Sequence, residues 1–441
     1  MLSQQLTDLL KEVEGTGVSS TRFGNKPIFW KNAKGCKVFD VENNEYIDCT
    51  SSYGVMGLGY SNPAVIKAIS ETAHQLIHTM CEIYPTSYYA IALDKIRTSI
   101  GRPNDQVILT TSGSDAVDVA LKLAYRFSKK KGIIAFNNSF HGQTLNALNV
   151  TGQEAFRAPF QDLLPSNVVF TDYPNIYRNA YGSSERLLDE TRKCIESIIS
   201  KYSLTDNSIG AIIVEPMQNA AGYIIPPYGF LSLIREICTK HGIVMIDDEI
   251  FTGFGRCGSW LMSDYEHVSS DIVCVGKVMT GGMPAAACVA SKGIMAALDY
   301  SGMVPLHGST FTGNALACSA ISATIEALKR ERLVEKSAVE GNSFRESLRE
   351  IIGELNEVGD IRGVGTATII EFVYDRKEKK RNPEAAKRFA NYLLDKHIIS
   401  LLSGLPYGNC VAFCLPFVMD AFDRDQVLRA CREYAMQTGD K

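Results

Sequence analysis

The chain has 441 residues, 45% of them hydrophobic and 21% charged, with 45 basic against 49 acidic side chains and a net charge of −4. This composition excludes long disorder and collagen-like or coiled-coil rods, and it leaves room for two or three compact units around a large core. The balanced charge, with a pI of about 6.0, gives no reason to expect nucleic acid or an anionic membrane as a partner.

Residues 1–20 read as a short amphipathic helix and a turn. They lack a secretory-signal layout, and no later run reaches the roughly 18 apolar residues of a membrane span. Residues 26–50 alternate apolar and polar between turn residues, which predicts a small antiparallel meander. Helices are predicted over 63–80 and 86–100. Seven short apolar runs separated by helices follow, at 106–109, 133–136, 167–170, 211–214, 243–246, 272–275 and 285–290. Runs apolar on both faces are strands between two helix layers, so a doubly wound, mostly parallel α/β sheet is expected.

A long helix over 314–330 opens a second α+β unit, expected to pack with the N-terminal meander. The division is a large domain of 63–313 and a small domain from both ends, 1–62 and 314–441. The basic run 375–383 reads as a solvated loop, or as a contact for a phosphate-rich partner. Twelve scattered cysteines form no CxxC pair, and several lie in apolar runs such as Val273-Cys274-Val275. Buried thiols in a reducing, cytoplasmic compartment explain this better than disulfides or zinc, and no metal site is expected.

Four clusters sit where a strand ends or a helix begins, the edge at which open α/β sheets bind ligands. Ser112-Gly113-Ser114 either cradles a phosphate at a helix N-terminus or simply caps the helix. Phe140, in Phe140-His141-Gly142, either stacks on a flat heterocycle or belongs to the core. Asp247-Asp248-Glu249 ends an apolar strand; buried acids need a partner, a metal or a protonated ring nitrogen, unless they face solvent. Lys277, after Val275-Gly276, is either a desolvated nucleophile or a lysine that snorkels outward.

Taken in order, these clusters with Glu215-Pro216, the run DEIFTGFGR from Asp248 to Arg256, Gly276-Lys277 and the run HGSTFTGN from His307 to Asn314 resemble the class III (ω-type) aminotransferases. These are pyridoxal-phosphate enzymes of fold type I, and the resemblance runs from about Val38 to Asn409. It implies that Lys277 forms a Schiff base with the cofactor and then moves the proton at the substrate carbon. Asp248 pairs with the pyridinium nitrogen. Phe140 and Ile250 cover the two ring faces, with His141 beside them. Gly113 and Ser114 hold the phosphate, Ser112 shapes that turn, and Glu215 helps orient the ring. Thr310 implies a homodimer in which it reaches the phosphate held by the neighbouring subunit. Arg256 and His307 read as structural.

Several positions depart from the family pattern. Ala412 stands where many members have a carboxylate-binding arginine in Tyr-Gly-Asn-Val-Ile-Arg. Gln143 replaces the arginine of His-Gly-Arg, and Ala220 replaces the acid that parks the first arginine. Phe251 replaces the commoner glutamine beside the cofactor, and Asp115 replaces a glutamate. Losing bidentate arginines argues for an unusual donor, or for a grip from elsewhere, such as Arg22. The expected activity is amino transfer from an amine or amino acid to a carbonyl acceptor. The alternative is an isomerase, a racemase or an aminomutase of the glutamate-1-semialdehyde type, using the same cofactor residues. A binding protein without catalysis is disfavoured by the presence of both Lys277 and Asp248.

Overall fold

The computed structural model describes residues 2–15, 27–299 and 305–438. Seven strands make the central sheet: β1 (Gln106–Thr110), β2 (Gly132–Phe136), β3 (Val168–Thr171), β4 (Ile209–Val214), β5 (Val244–Asp248), β6 (Ile272–Val275) and β7 (Ala286–Ala290). Their order is β1-β7-β6-β5-β4-β2-β3. All pairs are parallel except those of β7, which runs antiparallel between β1 and β6. Each predicted apolar run lies on one of these strands.

Alternation along the strands divides the core. Ile213 and Ile246 pack with Ala116, Val119 and Leu123 of helix α1 (Gly113–Ser128) on one face. Ile212, Val214 and Met245 pack on the other face with Ile195, Ile199, Ile234 and Ile237, from the helices Ser184–Tyr202 and Phe230–His241. β5 runs past its apolar part: Asp247 still pairs with Val214, and Asp248 with Cys274. The sheet therefore carries two consecutive carboxyls to its C-terminal edge, where the sequence pattern ended the strand at residue 246.

Both chain ends meet in a second sheet. Trp30–Lys34, Lys37–Asp40 and Glu45–Asp48 form the expected meander, and Ile398–Ile399 adds to it in parallel. A third sheet joins Val358–Val364, Ala367–Asp375, Cys410–Cys414 and Leu401–Ser403. The basic run is, as expected, an exposed turn over 375–378; its end turns back as Lys380–Arg381 on Ala367–Asp375, and Lys379 Nζ donates to the Tyr177 carbonyl at 2.6 Å. Arg178 returns a bond to the Lys379 carbonyl at 2.8 Å.

The helix predicted over 63–80 is shorter than expected, running Pro63–Ala73. His74 Nδ1 lies 2.8 Å from the Ser70 carbonyl and closes the last turn. Among the described residues, no helix is long and apolar enough to cross a membrane.

Candidate active site

The C-terminal ends of β1, β2, β4, β5 and β6 open on a cavity of about 390 Å³. Ser112, Gly113, Ser114, Phe140, His141, Glu215, Asp248, Ile250 and Lys277 all line it. Of the residues expected at the site, Thr310 alone is elsewhere, exposed in the turn before the helix Ala315–Arg330. Arg22 lies outside the described residues.

At one end of the cavity stands the N-terminus of α1. Ser112 caps it, its hydroxyl accepting the Asp115 N–H at 3.2 Å. The first N–H groups of a helix lack intrahelical acceptors, and with the dipole they favour an anion. Two glycines keep the space open. A Cβ on Gly113 would approach Ile250 Cδ1 to 3.1 Å, and one on Gly142 would come within 2.2 Å of Ser114 Oγ. Gly142 also has φ +132°, where a side chain is strained. His307 Nε2 sits 3.0 Å from Asp115 Oδ1 and pins its loop to the same helix.

Beside the sheet, Asp248 Oδ2 pairs with His141 Nδ1 at 2.7 Å, and Oδ1 accepts the Ile250 N–H at 3.2 Å. His141 Nε2 is buried with no hydrogen-bond partner among the described residues, so this carboxylate is the ring's one hydrogen-bonded contact there. Glu215 accepts the N–H of Phe140 at 2.9 Å and that of Asn219 at 3.1 Å. Burial pushes its carboxyl up to about 7. The flanking acids turn away from the cavity. Asp247 is 0% exposed, and burial beside Glu249 keeps its carboxyl protonated far above the usual range. Glu249 is bonded to Thr252 and Ser263. Only the middle acid of the three faces the cavity.

Lys277 follows β6 with φ 44°, a left-handed conformation that lysine rarely holds. Desolvation lowers the pKa of its amine, against the opposing charge of Asp248. Nζ lies 4.8 Å from the centroid of the Phe251 ring.

Sequence reasoning did not single out Asn219, Val55 or Met283, which also line the cavity. Asn219 carried a signal, standing four residues after Glu215. Val55 follows a left-handed turn over Ser51–Gly54, with φ of 47°, 47°, 58° and 84°. At the three that carry a Cβ, Ser51, Ser52 and Tyr53, this costs about 1–2 kcal/mol each. Arg256 holds the turn: wholly buried, it donates to the carbonyls of Gly54 at 3.1 Å and Leu415 at 2.7 Å, and to Thr366 Oγ1 at 2.9 Å.

The residues present fit a flat, phosphorylated heterocycle with a basic nitrogen. The anion end is a helix terminus opened by glycines, and the other end is a fixed carboxylate. Between them lie an aromatic face, an aliphatic face and a desolvated amine.

Comparison with known proteins gives the same picture. The aminotransferase class-III family profile matches residues 18–433. The acetylornithine aminotransferase of Methanothermobacter thermautotrophicus is 38% identical over 349 residues, 79% of this chain and 82% of that protein. The leucine/methionine racemase of Thermococcus litoralis is 32% identical over 413 residues, 93% of this chain and 90% of that one. A crystal structure of an ω-transaminase from Pseudomonas jessenii in complex with PMP shares the fold, with a TM-score of 0.89 at 24% identity over 98% of this chain and 99% of that one.

Proposed function

The chain belongs to the class III aminotransferases, and we propose that Lys277, Asp248 and the turn at Ser112, Gly113 and Ser114 are the parts that perform the transfer in it. It is a pyridoxal-phosphate-dependent aminotransferase. The observation that carries the assignment of roles is that an amine, a carboxylate and a helix N-terminus face one cavity.

When bound, the cofactor supplies an electron sink for the carbon that bears the substrate's amino group. The N-terminus of α1 and the Ser114 hydroxyl would hold its phosphate. Asp248, oriented by His141 and the Ile250 N–H, would keep a proton on the ring nitrogen through its negative charge. Phe140 and Ile250 would close the two ring faces. Glu215 ties the Phe140 loop to the Asn219 loop and so fixes the stacking ring. Lys277 would hold the cofactor covalently through Nζ, then take the proton from the amine-bearing carbon and return it. Its lowered pKa favours the free amine that both tasks need. Over two half-reactions the donor's amino group moves to the acceptor. The donor leaves as a carbonyl compound, and no outside oxidant or reductant enters.

The active unit would be a homodimer in a reducing, cytoplasmic setting. Ile77, Met80, Ile83, Tyr84 and Phe311 are exposed, and the segment 77–84 sits beside the loop of Thr310, with the His78 and Phe311 rings 5.3 Å apart. A second copy covering that face would bring Thr310 to the neighbouring phosphate site.

The test is spectroscopic. Purified holoenzyme is mixed with a panel of amines, ω-amino acids and both enantiomers of common amino acids. Loss of the cofactor's absorbance band with one carbonyl released per site supports the transfer reading. The likeness to a racemase supplies a second reading, since a racemase would use the same residues. It is favoured if the α-proton exchanges with solvent while no carbonyl appears.

A further inference from the structure

The left-handed turn behind Phe251 is held by a charge that has no counterpart. We propose that Arg256 is a positioning residue for the reaction, an uncompensated positive charge that acts on the Lys277 amine from behind the Phe251 wall. This rests on the reading of Lys277 as the amine that holds the cofactor.

The hydrogen-bond partners of the Arg256 guanidinium are the carbonyls of Gly54 and Leu415 and the Thr366 hydroxyl. Its central carbon stands 4.8 Å from the centre of the Phe417 ring, and Nε has no hydrogen-bond partner among the described residues. All of these neighbours are neutral, and among the described residues Arg256 forms no ion pair. The residue it grips supports the wall that the amine faces. A Cβ on Gly54 would come within 2.9 Å of Phe251 Cε2, and the centre of that ring is 4.8 Å from Lys277 Nζ. The guanidinium therefore reaches the surroundings of the amine through Gly54 and Phe251.

Burying an unpaired charge is costly, and a guanidinium does not shed its proton to avoid that cost. A clamp for carbonyl and hydroxyl oxygens needs donors but no charge, so the charge calls for its own explanation. Burial lowers the pKa of the Lys277 amine, the negative charge of Asp248 opposes this, and the positive charge of Arg256 adds to it. The other titratable groups around the two cations are neutral below pH 7. Burial holds the thiols of Cys257 and Cys414 and the phenol of Tyr223 above their ordinary values, and keeps the Glu215 carboxyl protonated up to about 7. Arg256 therefore offsets Asp248 at the amine, so that the same carboxylate can serve a ring nitrogen without holding a proton on Lys277.

The experiment reads the amine directly on the full-length apoenzyme. Lys277 is labelled with trace acetic anhydride across a pH series and quantified by mass spectrometry, with circular dichroism as the check of fold. The wild-type labelling midpoint is expected about one unit or more below the 10.5 of an ordinary lysine. In Arg256→Gln, and in Arg256→Met, which fills the space without charge, the midpoint should rise by about one unit, so that labelling at about pH 8 slows about tenfold. Arg256→Lys keeps the charge and should label within about twofold of wild type at that pH. Thr366→Val removes an acceptor of Arg256 but not its charge; it should lower the urea midpoint and leave the labelling midpoint in place. A folded neutral variant with an unchanged labelling midpoint would overturn the proposal, as would an equal rise in Arg256→Lys. If neither neutral variant folds, a wild-type midpoint at or above 10.5 still overturns it. Cofactor found on a lysine other than Lys277 after borohydride reduction would instead remove the reading of Lys277, whatever the labelling midpoint, and this proposal with it.

Discussion

The two sides of the cavity are built differently. On the cofactor side, polar atoms are held by named partners at short range: Asp248 by His141 and Ile250, Glu215 by two backbone N–H groups, and the Ser112 hydroxyl by Asp115. On the side of Phe251, four distant segments supply mostly hydrocarbon, drawn from residues 54, 223, 251 and 412 to 414, and the polar bonds there, such as Arg256 to the Gly54 carbonyl, lie behind it. Hydrogen bonds set positions to fractions of an ångström and place charge where the chemistry needs it. Close packing sets shape and excludes water, which decides what fits. The difference assigns chemistry to the first side and selection to the second.

Perturbing the polar side should change rate and cofactor affinity. The largest loss is expected from Lys277→Ala, with amino transfer falling by about 10⁴-fold in single-turnover kinetics while the fold survives by circular dichroism. Asp248→Asn removes the charge that holds the ring proton; a roughly 10²- to 10³-fold fall in the half-reaction rate is expected. Gly142→Ala drives a Cβ into Ser114 Oγ and strains φ +132°. Cofactor affinity, measured by titrating the apoenzyme, should weaken about 10- to 100-fold.

The smallest effect concerns stability. The folded Glu215 carboxyl keeps its proton up to about 7, against 4.5 for an ordinary glutamic acid, because it is buried. The contribution of this group is full below pH 4.5 and is lost as pH rises through 7, a change of about 3 kcal/mol for such a shift. Urea unfolding of the apoenzyme should show this decline, and Glu215→Gln should flatten it. If these four substitutions altered donor choice rather than rate, affinity or stability, the contrast between the two sides would fail.

The same contrast explains what was legible beforehand. The seven strands were readable because each is apolar on both faces, and the polar site because each motif sits within a few residues of a strand end. Phe251 was visible only as a departure from the family pattern. Its seat against Gly54 and Tyr223 joins residues about 200 and 30 positions away in the chain, a long-range packing that no local pattern encodes. The link between His141 and Asp248 was hidden for the same reason, since it spans two strand ends. The end of β5 was misplaced because acids in a strand look like its termination, although pairing to β4 and β6 carries the backbone through them.

The most direct test of the central claim is to reduce the holoenzyme with borohydride, digest it and locate the cofactor by mass spectrometry. The expected result is a single modified peptide with the added phosphopyridoxyl mass on Lys277. Modification of another lysine, or none, would contradict the assignment of Lys277 as the residue that carries the reaction.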